Sequence, residues 1–295
     1  MTQAPHDFGG DWTDEKLERV RKYLVEYTKI MSKQKFRFAY IDAFAGTGYR
    51  TLRQEENPEE LMFPEIAEQE SQRFLEGSAR IALQIKPRFT KYIFIEKADG
   101  HIRELAKLKL EFPLVQNDIE VVQADANSYL QDRCENYTWR HNRAVVFLDP
   151  YGMQVEWKTI AAIAGTQAID LWLLFPLGVA VNRLLKRDGN IDPVIRESLN
   201  RLFGTDDWYD AFYPSKKTLG LFGEETQIEK VGFGAIIQYF VGRLKTIFPG
   251  VAENPLPLYN SRNNPLYLLC FAAGNPTGAV TAVKIAKHIL SQKKR

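Results

Sequence analysis

The chain has 295 residues, of which 45% are hydrophobic and 26% charged, with a formal net charge of +2. That balance fits a globular protein with a sizeable core and excludes disordered, fibrous and strongly basic classes. Two cysteines, Cys134 and Cys270, make neither a disulfide framework nor a zinc cluster. The first residues lack the basic region and apolar core of a signal peptide, and no apolar run approaches bilayer-spanning length, so the expected location is the cytoplasm, away from membranes.

Thr13 is a candidate N-cap for a first helix, with Asp14 and Glu15 in its opening turn. Leu17, Val20, Leu24, Tyr27, Ile30 and Met31 then recur at helical spacing, and Lys16, Arg19, Arg21 and Lys22 are expected on its solvated face. Residues 1–39 thus form a tail and a helix packed on a core. Tyr40-Ile41-Asp42-Ala43-Phe44 is an apolar strand that ends on an acid and runs into the glycines Gly46 and Gly48. The stretch Thr51 to Glu76, rich in Gln and Glu and broken by Pro58 and Pro64, is expected to be an insertion. Ser78 is a candidate cap for the next helix, which Pro87 ends.

Three more apolar runs repeat the theme: Tyr92 to Glu96, Glu120 to Asp125 and Ala144 to Asp149, each ending on a carboxylate and separated by helical segments. A fifth, Ala168 to Phe175, closes at Pro176. Nearly continuous Val, Ile, Leu and Phe in strands alternating with helices predicts an α/β fold, a Rossmann-like doubly wound, mostly parallel sheet covered on both faces. Helical additions are expected over 177–250, with helices at Val194 to Phe203 and Ile228 to Phe248. Leu256 to Tyr259 and Leu266 to Ala272, joined by the turn Asn260 to Asn264, predict a C-terminal antiparallel hairpin at the sheet edge, followed by a last helix from Pro276 to Gln292. No repeat or linker divides 40–295, which reads as one domain.

In such a sheet ligands bind outside the carboxyl ends of the strands, where Asp42, Glu96, Asp125 and Asp149 fall. Taken singly, each acid has an equally simple reading as a helix cap or a loop residue. Gly46 and Gly48 permit close backbone approach, but Thr51 stands where a dinucleotide fingerprint would need its third glycine, and no Walker lysine follows. A ligand surrounded by acids should carry positive charge or several hydroxyl donors. His6, His101, His141 and His288 show no metal-ligand spacing.

These residues resemble the class I S-adenosylmethionine-dependent methyltransferases. The resemblance implies that Asp42, Phe44, Gly46 and Gly48 form the loop under the methionine part of the cofactor. Glu96 would take the ribose hydroxyls, and Asp125 with Ala126 would form the adenine edge. Asp149-Pro150-Tyr151-Gly152 matches the motif that faces the methyl group, and is similar to the Asp-Pro-Pro-Tyr and Asp-Pro-Phe-Gly motifs of enzymes that methylate exocyclic amines of nucleobases. In that role Asp149 and the Pro150 carbonyl accept the amine's N–H bonds and Tyr151 stacks on the extruded base, making these three the candidate catalytic residues. The simpler reading is that Asp149 lines a cofactor pocket and Pro150-Tyr151-Gly152 is a tight turn.

A narrower resemblance, to the three-Cys-motif partner (TcmP) family, is carried by Trp12-Thr13-x-x-Lys16-Leu17, the Tyr40 to Gly48 segment, Gly77-Ser78-Ala79, Phe147 to Gly152 and Asn275-Pro276-x-Gly278. It implies association with a separate cysteine-motif protein of iron-sulfur or radical S-adenosylmethionine type. The expected function is methyl transfer to an amino nitrogen, with a nucleic acid as substrate and Arg183, Lys186, Arg187, Lys216, Lys217 and the Lys293 to Arg295 tail as candidate backbone contacts. The alternatives are a non-catalytic scaffold for the cysteine-motif protein and a nicotinamide-linked reductase.

Overall fold

The computed structural model describes residues 11–44, 77–220 and 223–293, so the expected insertion at 51–76 and the glycines Gly46 and Gly48 lie outside the described residues. A long helix, α1 (Asp11–Met31), leads into β1 (Arg37–Ala43). The described part of α2 covers 77–84. Then come β2 (Lys91–Glu96), α3 (Asp99–Glu111), a 3-10 turn, β3 (Ile119–Gln123), α4 (Ala126–Asn136), β4 (Asn142–Leu148), α5 (Trp157–Gly165) and β5 (Ile169–Phe175). A π-helical turn at Leu177–Asn182 opens the additions: α6 (Pro193–Phe203), α7 (Trp208–Phe212), the hairpin β6 (Ser215–Gly220) and β7 (Gly223–Ile228), and α8 (Phe233–Lys245). The chain finishes with β8 (Gly250–Val251), β9 (Leu256–Tyr259), β10 (Pro265–Ala273) and α9 (Ala279–Leu290).

The main sheet has the order β3-β2-β1-β4-β5-β10-β8, with β9 also paired to β10. Strands β1 to β5 pair in parallel, while β10 runs antiparallel to β5. This is the doubly wound arrangement expected from the strand and helix alternation. The predicted terminal hairpin is present as β9 and β10, with β10 drawn in beside β5 rather than left at the edge. Chain order reverses between β1 and β4, which opens a crevice beyond their carboxyl ends.

Because side chains alternate across a strand, each strand divides its residues between two cores. Phe38, Tyr40, Tyr92, Phe94, Val145, Phe147, Trp172 and Leu174 pack toward α1 and α9. Ile41, Ile93, Ile95, Val146, Leu148, Leu171, Leu173 and Phe175 pack with α4, α5, α6 and α8. Continuing the first phase by two residues reaches Asp42, Glu96 and Asp149. The strand pattern thus places all three acids on the α1 side of the sheet.

Helix α1 departs from expectation. Thr13 lies inside it, not at its cap, and Lys16 and Arg19 are buried, with 2% and 3% of their surface exposed. Arg19 donates to the carbonyls of Ile289 (2.9 Å) and Gln292 (2.7 Å) and pairs with Glu15. Tyr23 donates to Asp170, the second residue of β5, at 2.7 Å. Arg21 and Lys22 do stay at the surface, near Glu18. Phase explains the error: Trp12, Lys16, Val20, Tyr23 and Tyr27 follow the i, i+4, i+7 stripe, so the buried face passes through the lysine.

The second departure is the β6–β7 hairpin, where Ile228 ends a strand and only Phe233 begins the expected helix. Its sequence, Lys-Lys-Thr-Leu against Glu-Glu-Thr-Gln, has no apolar alternation to mark strands. It places Lys216 and Lys217, read as candidate nucleic-acid contacts, on β6 opposite Gln227 and Thr226. Gly204 ends α6 in the left-handed region at φ +70°, where a side chain would also strike the Trp157 ring at 2.1 Å. Among the described residues no helix is long and apolar enough to cross a membrane.

Candidate functional site

Register sets the geometry of the crevice. Asp42 lies opposite Phe94 of β2 and Phe147 of β4, and Ala43 lies opposite Leu148, so Asp149 stands two residues beyond the register partner of Asp42 and on the same face. The Asp149 amide reaches the Ala43 carbonyl at 3.4 Å. Asp42 is 1% exposed. Tyr40, two residues earlier on the same face, donates its hydroxyl to Oδ2 at 3.1 Å, while Oδ1 is buried with no hydrogen-bond partner among the described residues. Burial pushes the Asp42 carboxyl up to about 7; hydrogen bonds from Ser78 and Tyr40 pull it down, Asp149 raises it further and Lys16 lowers it. Ser78 is therefore not the expected cap: it sits within α2, buried, facing Asp42. Phe44, the next residue in the proposed cofactor loop, leaves β1 at φ +67°, a strained conformation for a bulky residue and one that clusters at functional sites.

Glu96 ends β2 with its side chain fully enclosed. Oε1 accepts the amides of Lys97 and Ala98, both at 2.7 Å, which fixes the carboxylate at the start of α3. Oε2 is buried without a hydrogen-bond partner among the described residues, and so is Nδ1 of His101, which stands 3.6 Å away on the first turn of α3, within ion-pair reach but beyond a hydrogen bond. A buried acceptor without a donor is costly, so both atoms are open to a water or a ligand group. His101 had been given no role from sequence; its place five residues after the β2 acid, one turn into the following helix, was the available signal.

Asp125 behaves differently. It is exposed and caps α4, accepting the Ser128 amide at 2.9 Å and the Ser128 hydroxyl at 3.1 Å, while Ala126 is buried at the first helical position. One of its oxygens therefore does the ordinary work of an N-cap. At Asp149 the salient partner is Lys16: its ammonium reaches Oδ2 at 2.8 Å, with side-chain exposures of 2% and 9%. Burial raises the Asp149 carboxyl and the lysine opposes the rise. Pro150 is buried, the Tyr151 amide donates to the Gln154 side chain at 3.2 Å, and Gly152 turns at φ +61°. The segment is thus a tight turn that holds Tyr151 half-buried beside the crevice. The structure brings Asp42, Glu96 and Asp149 to one side of the sheet and adds Tyr40, Ser78, His101 and Lys16 to them.

No family model matches the chain, and no curated protein matches it. Among solved structures it is similar to protein LPL1258 from Legionella pneumophila str. Philadelphia 1, family-model DUF519, with a TM-score of 0.48 and 11% identity over 96% of this chain and 92% of that one. It is also similar to spermidine synthase from Thermotoga maritima, with a TM-score of 0.39 and 10% identity over 90% of this chain and 60% of that one. Likenesses this distant add nothing about chemistry. The fold class follows from the strand order itself: a Rossmann-like doubly wound, mostly parallel sheet with antiparallel strands at its C-terminal side.

Proposed function

We propose that the protein is an S-adenosylmethionine-dependent methyltransferase acting on an amino nitrogen, with a nucleic acid as substrate and a cysteine-motif protein as partner. The observation that carries the proposal is the pair of buried carboxylate oxygens without hydrogen-bond partners among the described residues, Asp42 Oδ1 and Glu96 Oε2, at the ends of neighbouring strands beside the switch point. They suit a ligand with hydroxyl and ammonium donors, and S-adenosylmethionine offers both. Glu96 with His101 would hold the ribose, Asp42 and Phe44 the methionine part, and Asp125 with Ala126 the adenine edge. When bound, the cofactor supplies an electrophilic methyl group.

The chain's own part is to present the amine. An exocyclic amine has its lone pair delocalised into the ring, so acceptors at both N–H bonds make that pair more available. Asp149 and the Pro150 carbonyl are the acceptors, and Tyr151 is the stacking surface for an extruded base. The exposed Lys186 and Arg187 are candidate phosphate contacts. The scaffold reading draws on one fact, that Lys16 already engages Asp149.

Calorimetry with S-adenosylhomocysteine, followed by transfer of labelled methyl groups to deproteinised RNA and DNA, decides between them. Binding with transfer supports the proposal. Binding without transfer, together with co-purification of a cysteine-motif protein, supports the scaffold, and no binding refutes both as methyltransferase-type sites.

A further inference from the structure

We propose that Lys16 is a positioning residue for the amine chemistry: delivered from the N-terminal helix, its ammonium holds Asp149 as an ionised, fixed hydrogen-bond acceptor at the switch point. The inference rests on the methyltransferase reading and names a residue outside the sheet that the site depends on.

The geometry is that of a built contact. Lys16 and Asp149 are 133 residues apart and meet at 2.8 Å with both side chains nearly inaccessible. The Lys16 ammonium also lies 4.9 Å from the centre of the Trp12 ring, which covers it from the preceding turn. Helix α1 cannot swing freely, since Arg19 ties it to the end of α9 and Tyr23 ties it to Asp170 on β5. Trp12 packs on Tyr267 at 5.0 Å, and Tyr27 stacks on Phe89 at 6.0 Å. Such anchoring argues against a gate that opens and for a lysine kept in place.

The chemistry gives that placement a purpose. A neutral carboxylic acid donates through its hydroxyl and would compete for the amine's lone pair, whereas a carboxylate only accepts. Among the described residues the charged and titratable groups around Asp149 are Lys16 on α1 and Asp42 and Tyr40 on β1. Burial favours a neutral Asp149, and Lys16 is the described group that opposes it. A purely structural need would be met as well by an apolar pair, because buried ion pairs contribute little net stability.

The test is a carbon-13 carboxyl titration of the full chain labelled at aspartate, with Asp149 assigned from Asp149→Asn, in wild type, Lys16→Met and Lys16→Arg. In wild type Asp149 should be ionised at neutral pH. Lys16→Met should move its midpoint up by about 1 to 3 pH units, the range for loss of one close opposite charge, and Lys16→Arg should restore it. A Lys16→Met midpoint indistinguishable from wild type overturns the proposal. Should Lys16→Met not fold, the wild-type spectrum decides alone: a protonated Asp149 at pH 7 overturns it, and an ionised one retained in Lys16→Arg supports it. The expected titration without any binding of S-adenosylhomocysteine would instead remove the methyltransferase reading and leave the Lys16 contact standing.

Discussion

Glu96→Gln separates the two jobs that one carboxylate does. Oε1 holds the amides of Lys97 and Ala98, and an amide oxygen in the same place keeps both bonds, so the start of α3 should survive. Oε2 is the atom without a hydrogen-bond partner among the described residues, and glutamine replaces it with a neutral donor, so a ribose hydroxyl loses its charged acceptor. A hydrogen bond to a charged acceptor contributes about 1.5 to 3 kcal/mol. The expected loss of affinity for S-adenosylhomocysteine is therefore about 10- to 150-fold. The effect should also appear in ligand protection against denaturant. At a ligand concentration of about 100 times the wild-type Kd, wild type gains about 2.7 kcal/mol, and a 30-fold weaker variant should gain about 1 kcal/mol or less. Titration calorimetry and urea unfolding with and without ligand measure both quantities on the same samples. The assignment of Glu96 to the cofactor fails if Glu96→Gln unfolds like wild type and binds within twofold of it.

Asp42 is held at about 7, above its ordinary value of 3.8, so between those limits the folded state binds more protons than the unfolded one and stability falls as pH rises through the window. Asp42→Asn should accordingly be more stable than wild type at pH 8 without ligand, yet bind S-adenosylhomocysteine more weakly; urea midpoints at pH 5 and 8 that shift equally in both proteins would contradict this. Asp170, raised to about 6 by burial against the pull of Tyr23 and the Gly274 amide, adds a slope of the same sign. Tyr23→Phe, which removes its 2.7 Å donor, should cost about 1 to 3 kcal/mol by urea unfolding, and no loss would mean that α1 is not anchored there. Gly204→Ala should cost about 1 to 3 kcal/mol, because it combines a left-handed backbone with a clash on Trp157; an unchanged midpoint would refute the packing. Cys134 and Cys270 are buried with thiols pushed up by burial, so a thiol reagent should label neither until the protein unfolds, and rapid labelling of the native protein would count against both placements.

The sheet was legible because its information is local. Five runs of Val, Ile, Leu and Phe can only be buried strands, and the acid at the end of each of the first four marks where the chain leaves the core. The hairpin β6–β7 was not legible, since a ribbon of Lys, Thr, Glu and Gln carries no burial period. Lys16 was misread for a different reason. Charge alone assigns a lysine to solvent, and only its phase with Trp12, Val20 and Tyr23 shows that it points inward. What no single segment could disclose is the partner: a contact across 133 residues exists only once α1 is laid over the ends of β1 and β4.

That contact also accounts for the charge at the switch point. Asp42 and Asp149 belong to adjacent strands and are both buried, so without compensation one of them would have to be neutral. Among the described residues a single lysine, Lys16, acts on both, which leaves one negative charge in excess when both are ionised. It is bonded to Asp149, so the excess falls on Asp42, the carboxyl whose free oxygen has no donor and whose protonation is balanced near neutrality. A cationic ligand beside Asp42 would relieve that excess and hold the proton off, whereas a neutral or anionic one would not. On the proposed reading the site would favour positive charge at β1 and an N–H donor at β4: S-adenosylmethionine would meet the first demand and an amine the second, whereas the phosphates of NADH would add negative charge beside Asp42.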